Sequence, residues 1–202
     1  EKYRKMVPSS FTFHGRDPKF DKTIPQDSPV IVTASSAPDI IDPVTGQERR
    51  AESGDIARIA HLINELPGYD VFSISTLADD APAGQFTISR LYPALKYCLK
   101  PLRVTTTDHK DTLSIMKMAY MVAGGEAAYK EHPFLTHHYC PTVSPLSMDN
   151  LSTENVIYFA KEGLPVYPTI VPNAGLTSPM SMAGTLVQGN AEFLATATLM
   201  QM

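Results

Sequence analysis

The chain has 202 residues, of which 43% are hydrophobic and 19% are charged, a composition typical of a soluble globular protein. Its net charge of −4 and its scattered basic residues argue against a nucleic-acid or membrane partner. No apolar run reaches the roughly 18 residues that a membrane span requires. The two cysteines, Cys98 and Cys140, form no metal-binding or redox motif, so we expect reduced thiols and a cytoplasmic location.

Residues 9–50 differ in pattern from the rest of the chain. Residues 9–16 and 28–35 are rich in β-forming side chains, and DIIDPVTGQERR (39–50) predicts a hairpin because it contains turn residues at its centre. We therefore predict an N-terminal extension with β-hairpins over residues 1–50, a small antiparallel decoration of the main domain over residues 51–202.

From residue 52 onward, helix and strand patterns alternate. The predicted strands are 69–75, 102–107, 134–140 and 164–171, and the predicted helices are 53–66, 88–99, 111–123, 152–161 and 178–201. Strands about 31 residues apart predict parallel neighbours joined by right-handed crossovers. A partial (βα)8 TIM barrel and a doubly wound sheet both fit, and the lack of a G-x-G-x-x-G motif favours the barrel.

The last unit is a predicted strand, a polar loop and a helix rich in small residues. Leu164–Val171 is almost entirely apolar, which predicts a strand covered on both faces. Ser178 and Pro179 predict the helix start, because a hydroxyl caps free N–H groups and proline suits the first helical position. Free N–H groups beside Gly175, Thr177 and Ser178 would then suit an anion.

Polar and aromatic side chains follow each predicted strand, and in a parallel barrel these positions converge on one mouth. His138 is either a site residue or a core histidine bonded to a backbone carbonyl. Tyr139 faces the other way from His138, because successive strand residues alternate, so one of the two lines the mouth and the sequence leaves open which.

Tyr139 and Tyr167 suit the walls of a cation site. A quaternary ammonium group has no hydrogen to donate, so aromatic faces hold it, at about 1–2 kcal/mol per ring. Asp80 and Asp108 offer carboxylates to the same cation. The alternative for each tyrosine is ordinary packing, and for Asp80 it is a solvated loop or a helix cap.

A zinc site is the other use that the third strand suggests. His138 and Cys140 share a face, whereas His137 points away from them. The sequence places no third ligand beside this pair, so we favour the absence of a metal site.

Four segments occur in order along the chain and carry a family resemblance. They are HGRDP (14–18), D-x-x-T-G-x-x-R (42–49), SPLSMDN (144–150), and a G-x-T-x-P segment (175–179) followed by Asn190-Ala191-Glu192 in the last helix. Together they resemble the trimethylamine methyltransferase family, and the resemblance spans nearly all of the chain.

The resemblance implies an enzyme with an eight-unit barrel. Such an enzyme moves a methyl group from trimethylamine, or from a quaternary amine of the betaine type, to the cob(I)alamin of a separate corrinoid protein docked on the barrel mouth. The resemblance implies that no cofactor is bound directly and that the corrinoid protein contacts the chain near Gly175, Thr177 and Ser178. Some members carry pyrrolysine, and its position would lie beyond Met202. The residues expected to line the amine site are Tyr139, Tyr167, His138, Asp80, Asp108 and Asn173.

Two other functions remain open at this stage. One is a metal-assisted hydrolase on the same barrel that uses His109, His138 and acidic residues, and the other is a non-catalytic betaine-binding protein. The sequence begins at Glu1, and its last helix runs to Gln201 without a cap, so we expect a piece of a longer protein. A partial barrel exposes strand edges, which predicts that this piece alone associates or aggregates. We also expect the protein to form a homo-oligomer.

Overall fold

A computed structural model describes residues 3–34 and 36–202, which contain six α-helices and ten short strands. The helices are α1 (Ser53–Glu65), α2 (Phe86–Tyr97), α3 (His109–Ala123), α4 (Glu126–Glu131), α5 (Asn150–Lys161) and α6 (Met182–Gln201). The strands are β1 (Phe11–Phe13), β2 (Lys22–Ile24), β3 (Asp39–Ile41), β4 (Glu48–Arg50), β5 (Phe72–Ser73), β6 (Leu102–Val104), β7 (Leu135–Tyr139), β8 (Thr142–Val143), β9 (Ser147–Met148) and β10 (Val166–Pro168).

Four strands form a parallel sheet in the order β10-β7-β6-β5. Val166 lies opposite His137 in the β10–β7 pair, and Phe72 lies opposite Leu102 in the β5–β6 pair. Helices separate these strands along the chain, as the alternating patterns predict. The α/β class and the parallel pairing are therefore confirmed.

The described residues divide into two compact units. The N-terminal unit comprises Ser10–Thr106 and Leu113–Thr136, and the C-terminal unit comprises Thr107–Thr112, His137–Met202 and the described residues up to Ser9. The proposed division at residue 50 stays a prediction. In the part of the chain that the structure covers, no helix combines the length and the apolar character needed to cross a bilayer.

In the N-terminal unit, helix α1 packs against α2. Ile56 and Ala60 are fully buried on α1, as is Ala94 on α2. The backbone N–H of Glu52 donates to the Asp55 carboxylate at 2.9 Å, which satisfies a donor that the helix start would otherwise leave free. Apolar burial and an acidic cap thus define this helix together.

The predicted hairpin over residues 39–50 is confirmed as the antiparallel pair β3–β4. Arg49 attaches it to α1, because its Nη1 and Nη2 atoms each donate to the Asp55 carboxylate at 2.8 Å. The Arg49 Nε atom also donates to Asp42 at 3.2 Å. The spacing of the D-x-x-T-G-x-x-R segment therefore places one arginine between two carboxylates.

The other β-rich stretches of the extension differ from each other. Residues 9–16 contribute β1, which pairs with β2, whereas the 28–35 stretch forms a single bridge between Val32 and Val71, and Ser35 lies outside the described residues. Gly15 follows β1 in a crowded turn. A Cβ atom there would lie 2.9 Å from the Asp17 carbonyl oxygen and 3.0 Å from that of Leu99, so the HGRDP segment requires glycine.

Several predicted element bounds in the C-terminal unit are wrong. Helix α6 begins at Met182 with Ser181 as its N-cap, three residues after the predicted cap. Helix α5 begins at Asn150, two residues before the predicted start, and its N-cap Asp149 accepts the Ser152 N–H at 2.7 Å. The predicted strand over 164–171 shrinks to β10, whose Tyr167 is 48% exposed, so it is not covered on both faces.

Candidate functional site

The adjacent residues His137 and His138 lie on opposite faces of strand β7. His137 is fully buried, and its ring stacks on Phe159 of α5 with centroids 3.7 Å apart. Neither ring nitrogen has a hydrogen-bond partner among the described residues. Burial lowers the pKa of His137 from 6.5 to about 3, so the imidazole is neutral and belongs to the helix-covered side of the sheet.

His138 lies on the other face and meets residues of β10 and of the loop that follows. Its Nε2 atom lies 2.7 Å from the Thr169 hydroxyl oxygen, and its ring centroid is 6.1 Å from that of Tyr167. The parallel register places Tyr167 directly opposite His138, which is why the two side chains share a face. The structure thus brings two of the predicted amine-site residues, His138 and Tyr167, together, and the aromatic ring of Tyr167 is partly exposed.

Tyr139 points toward the helix side of the sheet. It is only 3% exposed, its ring stacks near Phe159 with centroids 6.0 Å apart, and its hydroxyl lies 3.3 Å from that of Thr112. The Thr112 hydroxyl in turn lies 2.9 Å from the amide oxygen of Asn155 on α5. Of the pair that the sequence left undecided, His138 is on the face of Tyr167 and Tyr139 is behind it; a contact between Tyr139 and the amine stays a prediction.

The loop after β10 is held by the carbonyl oxygen of Asn173. It accepts the backbone N–H groups of Leu176 at 3.0 Å, Thr177 at 2.9 Å and Ser178 at 3.0 Å. The N–H of Gly175 donates to the Ser178 carbonyl at 2.9 Å. These amides are therefore not the free donors of a helix start, which removes the physical argument for an anion at this position. Contact of this loop with a corrinoid protein stays a prediction.

Gly175 allows this loop to turn tightly. Its φ of +78° lies in the left-handed region, and a Cβ atom would lie 3.0 Å from the Met180 sulfur. The first residue of the G-x-T-x-P segment thus has a conformational and a steric reason to be glycine.

The two predicted site carboxylates both bind helix starts. The Asp108 carboxylate accepts the Asp111 N–H at 2.8 Å at the first turn of α3, which begins at His109 and not at the predicted residue 111. In the N-terminal unit, the Asp80 carboxylate accepts two hydrogen bonds from Ser53. The Ser53 backbone nitrogen lies 2.7 Å from Asp80 Oδ1, and the Ser53 hydroxyl oxygen lies 2.5 Å from Asp80 Oδ2. The Ser53 hydroxyl lowers the pKa of Asp80 below its ordinary value. A contact of either carboxylate with a cation stays a prediction.

Thr169 is a candidate residue that the sequence reasoning missed. It contacts His138 through its hydroxyl, and its N–H donates to the Tyr139 carbonyl at 2.9 Å. The available signal was its position two residues after Tyr167, which places both on one face of an extended chain.

The described part of the chain contains no group of three or more His, Cys, Asp or Glu side chains placed to hold a metal ion. Cys98 is buried and Cys140 is exposed, and the described residues contain no disulfide between them. The His138 side chain contacts the Thr169 hydroxyl and the Tyr167 ring. This arrangement can bind and orient a ligand by aromatic contact and hydrogen bonding.

Comparison with known proteins gives a consistent result over the whole chain. The family model described as trimethylamine methyltransferase (MTTB) matches residues 1–202. The chain is 28% identical over 196 residues to the trimethylamine methyltransferase MttB of Desulfitobacterium hafniense (strain DSM 10664 / DCB-2), covering 97% of this chain and 39% of that protein. It is 29% identical over 199 residues to the glycine betaine methyltransferase of strain Y51, covering 98% and 41%. It is 30% identical over 208 residues to MttB of Methanosarcina barkeri, with the same coverage of 98% and 41%. The chain thus spans about two fifths of the length of these relatives.

Proposed function

The chain belongs to the trimethylamine methyltransferase family, and from that membership we propose that the protein transfers a methyl group from trimethylamine or a betaine-type quaternary amine to the cob(I)alamin of a separate corrinoid protein. The match over residues 1–202 is the observation that carries the proposal. The pairing of His138 with Tyr167 beside a polar loop supports it, because a methylated ammonium group is held by aromatic faces.

We propose that the four parallel strands belong to a (βα)8 barrel. Their order along the sheet follows their order in the chain, as it does in such a barrel. The loops after β7 and β10 then lie at the carboxyl ends of neighbouring strands, where barrel enzymes place their substrate. The corrinoid protein would dock at this mouth. Homo-oligomer formation and a cytoplasmic location stay predictions.

The chemistry asks little of the protein beyond binding and alignment. When the donor is a quaternary amine, the C–N bond breaks with its electron pair on nitrogen, and a neutral tertiary amine leaves without a proton. The corrinoid would supply the electron pair for the new bond to the methyl carbon. The protein's own residues would hold the cation against Tyr167, fix His138 through Thr169, and exclude water from the line of transfer.

The test is a methyl-transfer assay with the full-length protein, the reduced corrinoid protein and a set of amines, followed by the absorbance change of the corrinoid. We expect trimethylamine or a betaine to be a donor. Replacement of Tyr167 by Ala should raise the amine KM about tenfold, since it removes a ring worth about 1–2 kcal/mol to the cation, whereas Tyr167→Phe should leave KM nearly unchanged.

The same assay separates the alternatives. If no amine methylates the corrinoid but betaines bind, the protein is a binder and the transfer proposal is wrong. Equal KM values for the Ala and Phe variants would remove Tyr167 from the cation site while leaving the methyl-transfer activity itself standing.

A further inference from the structure

Helix α6 has an inverted pattern of burial. Its fully buried side chains are Glu192, at 2% exposure, and Thr196, at 0%, while Leu186, Val187 and Phe193 are exposed. Apolar burial therefore does not explain which face α6 turns inward. The burial of Glu192 requires hydrogen-bond donors, because a carboxylate is buried only where enough donors reach it.

The Glu192 carboxylate meets three neutral donors. The Ser144 hydroxyl donates to Oε2 at 2.7 Å, the Leu146 N–H donates to Oε1 at 2.9 Å, and the Gln188 side-chain amide donates to Oε1 at 3.0 Å. No lysine or arginine forms an ion pair with it in the described chain. Burial raises the pKa of Glu192, but the Leu146 N–H and the two side-chain donors lower it more, so the net shift is downward and the group is ionised at neutral pH.

Two of these donors belong to the β8–β9 hairpin, which follows strand β7. Ser144 and Leu146 lie in its turn, between β8 and β9. The hairpin is too short to be stable alone, since each strand has two residues and the pair has few contacts of its own. Glu192 thus holds the turn of the hairpin against α6, while the Thr142 hydroxyl of β8 lies 3.2 Å from the Thr196 hydroxyl of the same helix.

The third donor extends the contact to a second loop. The Gln188 amide nitrogen lies 2.7 Å from the Thr177 carbonyl oxygen as well as 3.0 Å from Glu192. A side-chain amide carries two N–H bonds, so Gln188 can make both hydrogen bonds at once. The result is a continuous connection from the hairpin at residues 142–148, through Glu192 and Gln188, to the loop at residues 173–178.

We propose that Glu192 is a positioning residue for the methyl transfer, a buried carboxylate that holds the 142–148 hairpin and the 173–178 loop in a fixed arrangement. These segments follow the paired parallel strands β7 and β10, at the same edge as Tyr167. The inference rests on the proposed function. Glu192 does not touch the substrate; it acts through Ser144, Leu146 and Gln188.

The experiment uses Glu192→Gln in the full-length protein, with Glu154→Gln as the matched control because Glu154 is an exposed acid on α5 of the same unit. Hydrogen exchange of peptides covering residues 142–148 and 173–178 is measured together with kcat and KM for the amine. We expect exchange in both peptides to accelerate roughly tenfold or more, since a charge-assisted hydrogen bond is lost, while peptides from β7 and β10 stay unchanged. KM should rise with little change in the unfolding midpoint, and the control should match wild type.

A second variant keeps the test decisive if Glu192→Gln does not fold. Gln188→Met leaves the contacts of Glu192 with the hairpin in place and removes the bond to Thr177, so exchange should accelerate only at 173–178 and the amine KM should still rise. Acceleration at 142–148 alone in Glu192→Gln, or unchanged exchange and kinetics in both variants, would overturn the proposal. Exchange is measured without substrate, so a wild-type protein that transfers no methyl group would overturn the proposed function separately from the coupling of the loops.

Discussion

The pH dependence of stability offers a sharp test of the buried, neutral state of His137. The perturbation is His137→Leu, which replaces a fully buried imidazole without hydrogen-bond partners in the described chain by an apolar side chain of similar size. The pKa of His137 is lowered from 6.5 to about 3 in the folded state. As the pH falls below 6.5, His137 is protonated in the unfolded chain but stays neutral in the folded chain. The free energy of unfolding therefore decreases over that range.

The magnitude follows from the two pKa values. Between pH 7 and pH 5 the unfolded state gains about 2 kcal/mol from protonation of this one group, and the folded state gains almost nothing. We therefore expect the wild-type free energy of unfolding to fall by about 2 kcal/mol more than that of His137→Leu over this interval. At pH 7 the variant should be at least as stable, because removal of two unsatisfied buried nitrogens offsets the lost stacking on Phe159.

The assay is urea unfolding of both proteins, followed by far-ultraviolet circular dichroism, at pH 7, 6 and 5. Carboxylates and the other histidines titrate equally in wild type and variant, so they cancel in the difference. Equal loss of stability in wild type and His137→Leu would refute the buried, neutral state of His137.

Two further predictions concern the His138 contact and the hairpin attachment. Thr169→Val removes the hydroxyl that lies 2.7 Å from His138 and keeps the side-chain shape. We expect kcat/KM for the best amine donor to fall about fivefold, with an unchanged unfolding midpoint. An unchanged kcat/KM would show that this hydrogen bond does not orient His138. Asp55→Asn weakens the pair with Arg49 and should destabilise the protein by about 2 kcal/mol at pH 7 in urea unfolding, because Arg49 lowers the pKa of Asp55 from 3.8 to about 2. Since this folded pKa lies below the unfolded one, the gap should be constant above about pH 5 and should narrow as the pH falls toward 2; a gap that widens there would contradict the assignment.

The sequence predicts the alternating helices and strands because apolar periodicity reflects burial directly. The buried stripe of α1 and the parallel pairing of β5, β6, β7 and β10 follow from it. The opposite faces of His137 and His138 follow from strand geometry as well. Strand geometry does not predict which of the two faces is covered by a helix. That depends on Phe159 of α5, whose ring stacks on His137.

Local capping signals explain the wrong helix starts. Ser178-Pro179 and Ser181 are both sound N-terminal signals, and the choice between them depends on the Asn173 carbonyl, which captures the Thr177 and Ser178 amides first. At α3, several acids and hydroxyls within four residues compete for the same role, and Asp108 takes it. The buried position of Glu192 had no signal in the periodicity of α6, because two of its three donors, Ser144 and Leu146, lie more than 40 residues away in the hairpin.

The two hydrogen bonds that the Gln188 side-chain amide donates limit which residues position 188 can accept. Glutamate at position 188 would place a second carboxylate 3.0 Å from Glu192 and an acceptor against the Thr177 carbonyl, so two repulsive contacts would replace two favourable ones. Positions 144, 188 and 192 should therefore vary together among relatives, with a neutral donor at 144 and 188 wherever 192 is acidic. An evolutionary exchange at one of the three is expected to be accompanied by a compensating exchange at another.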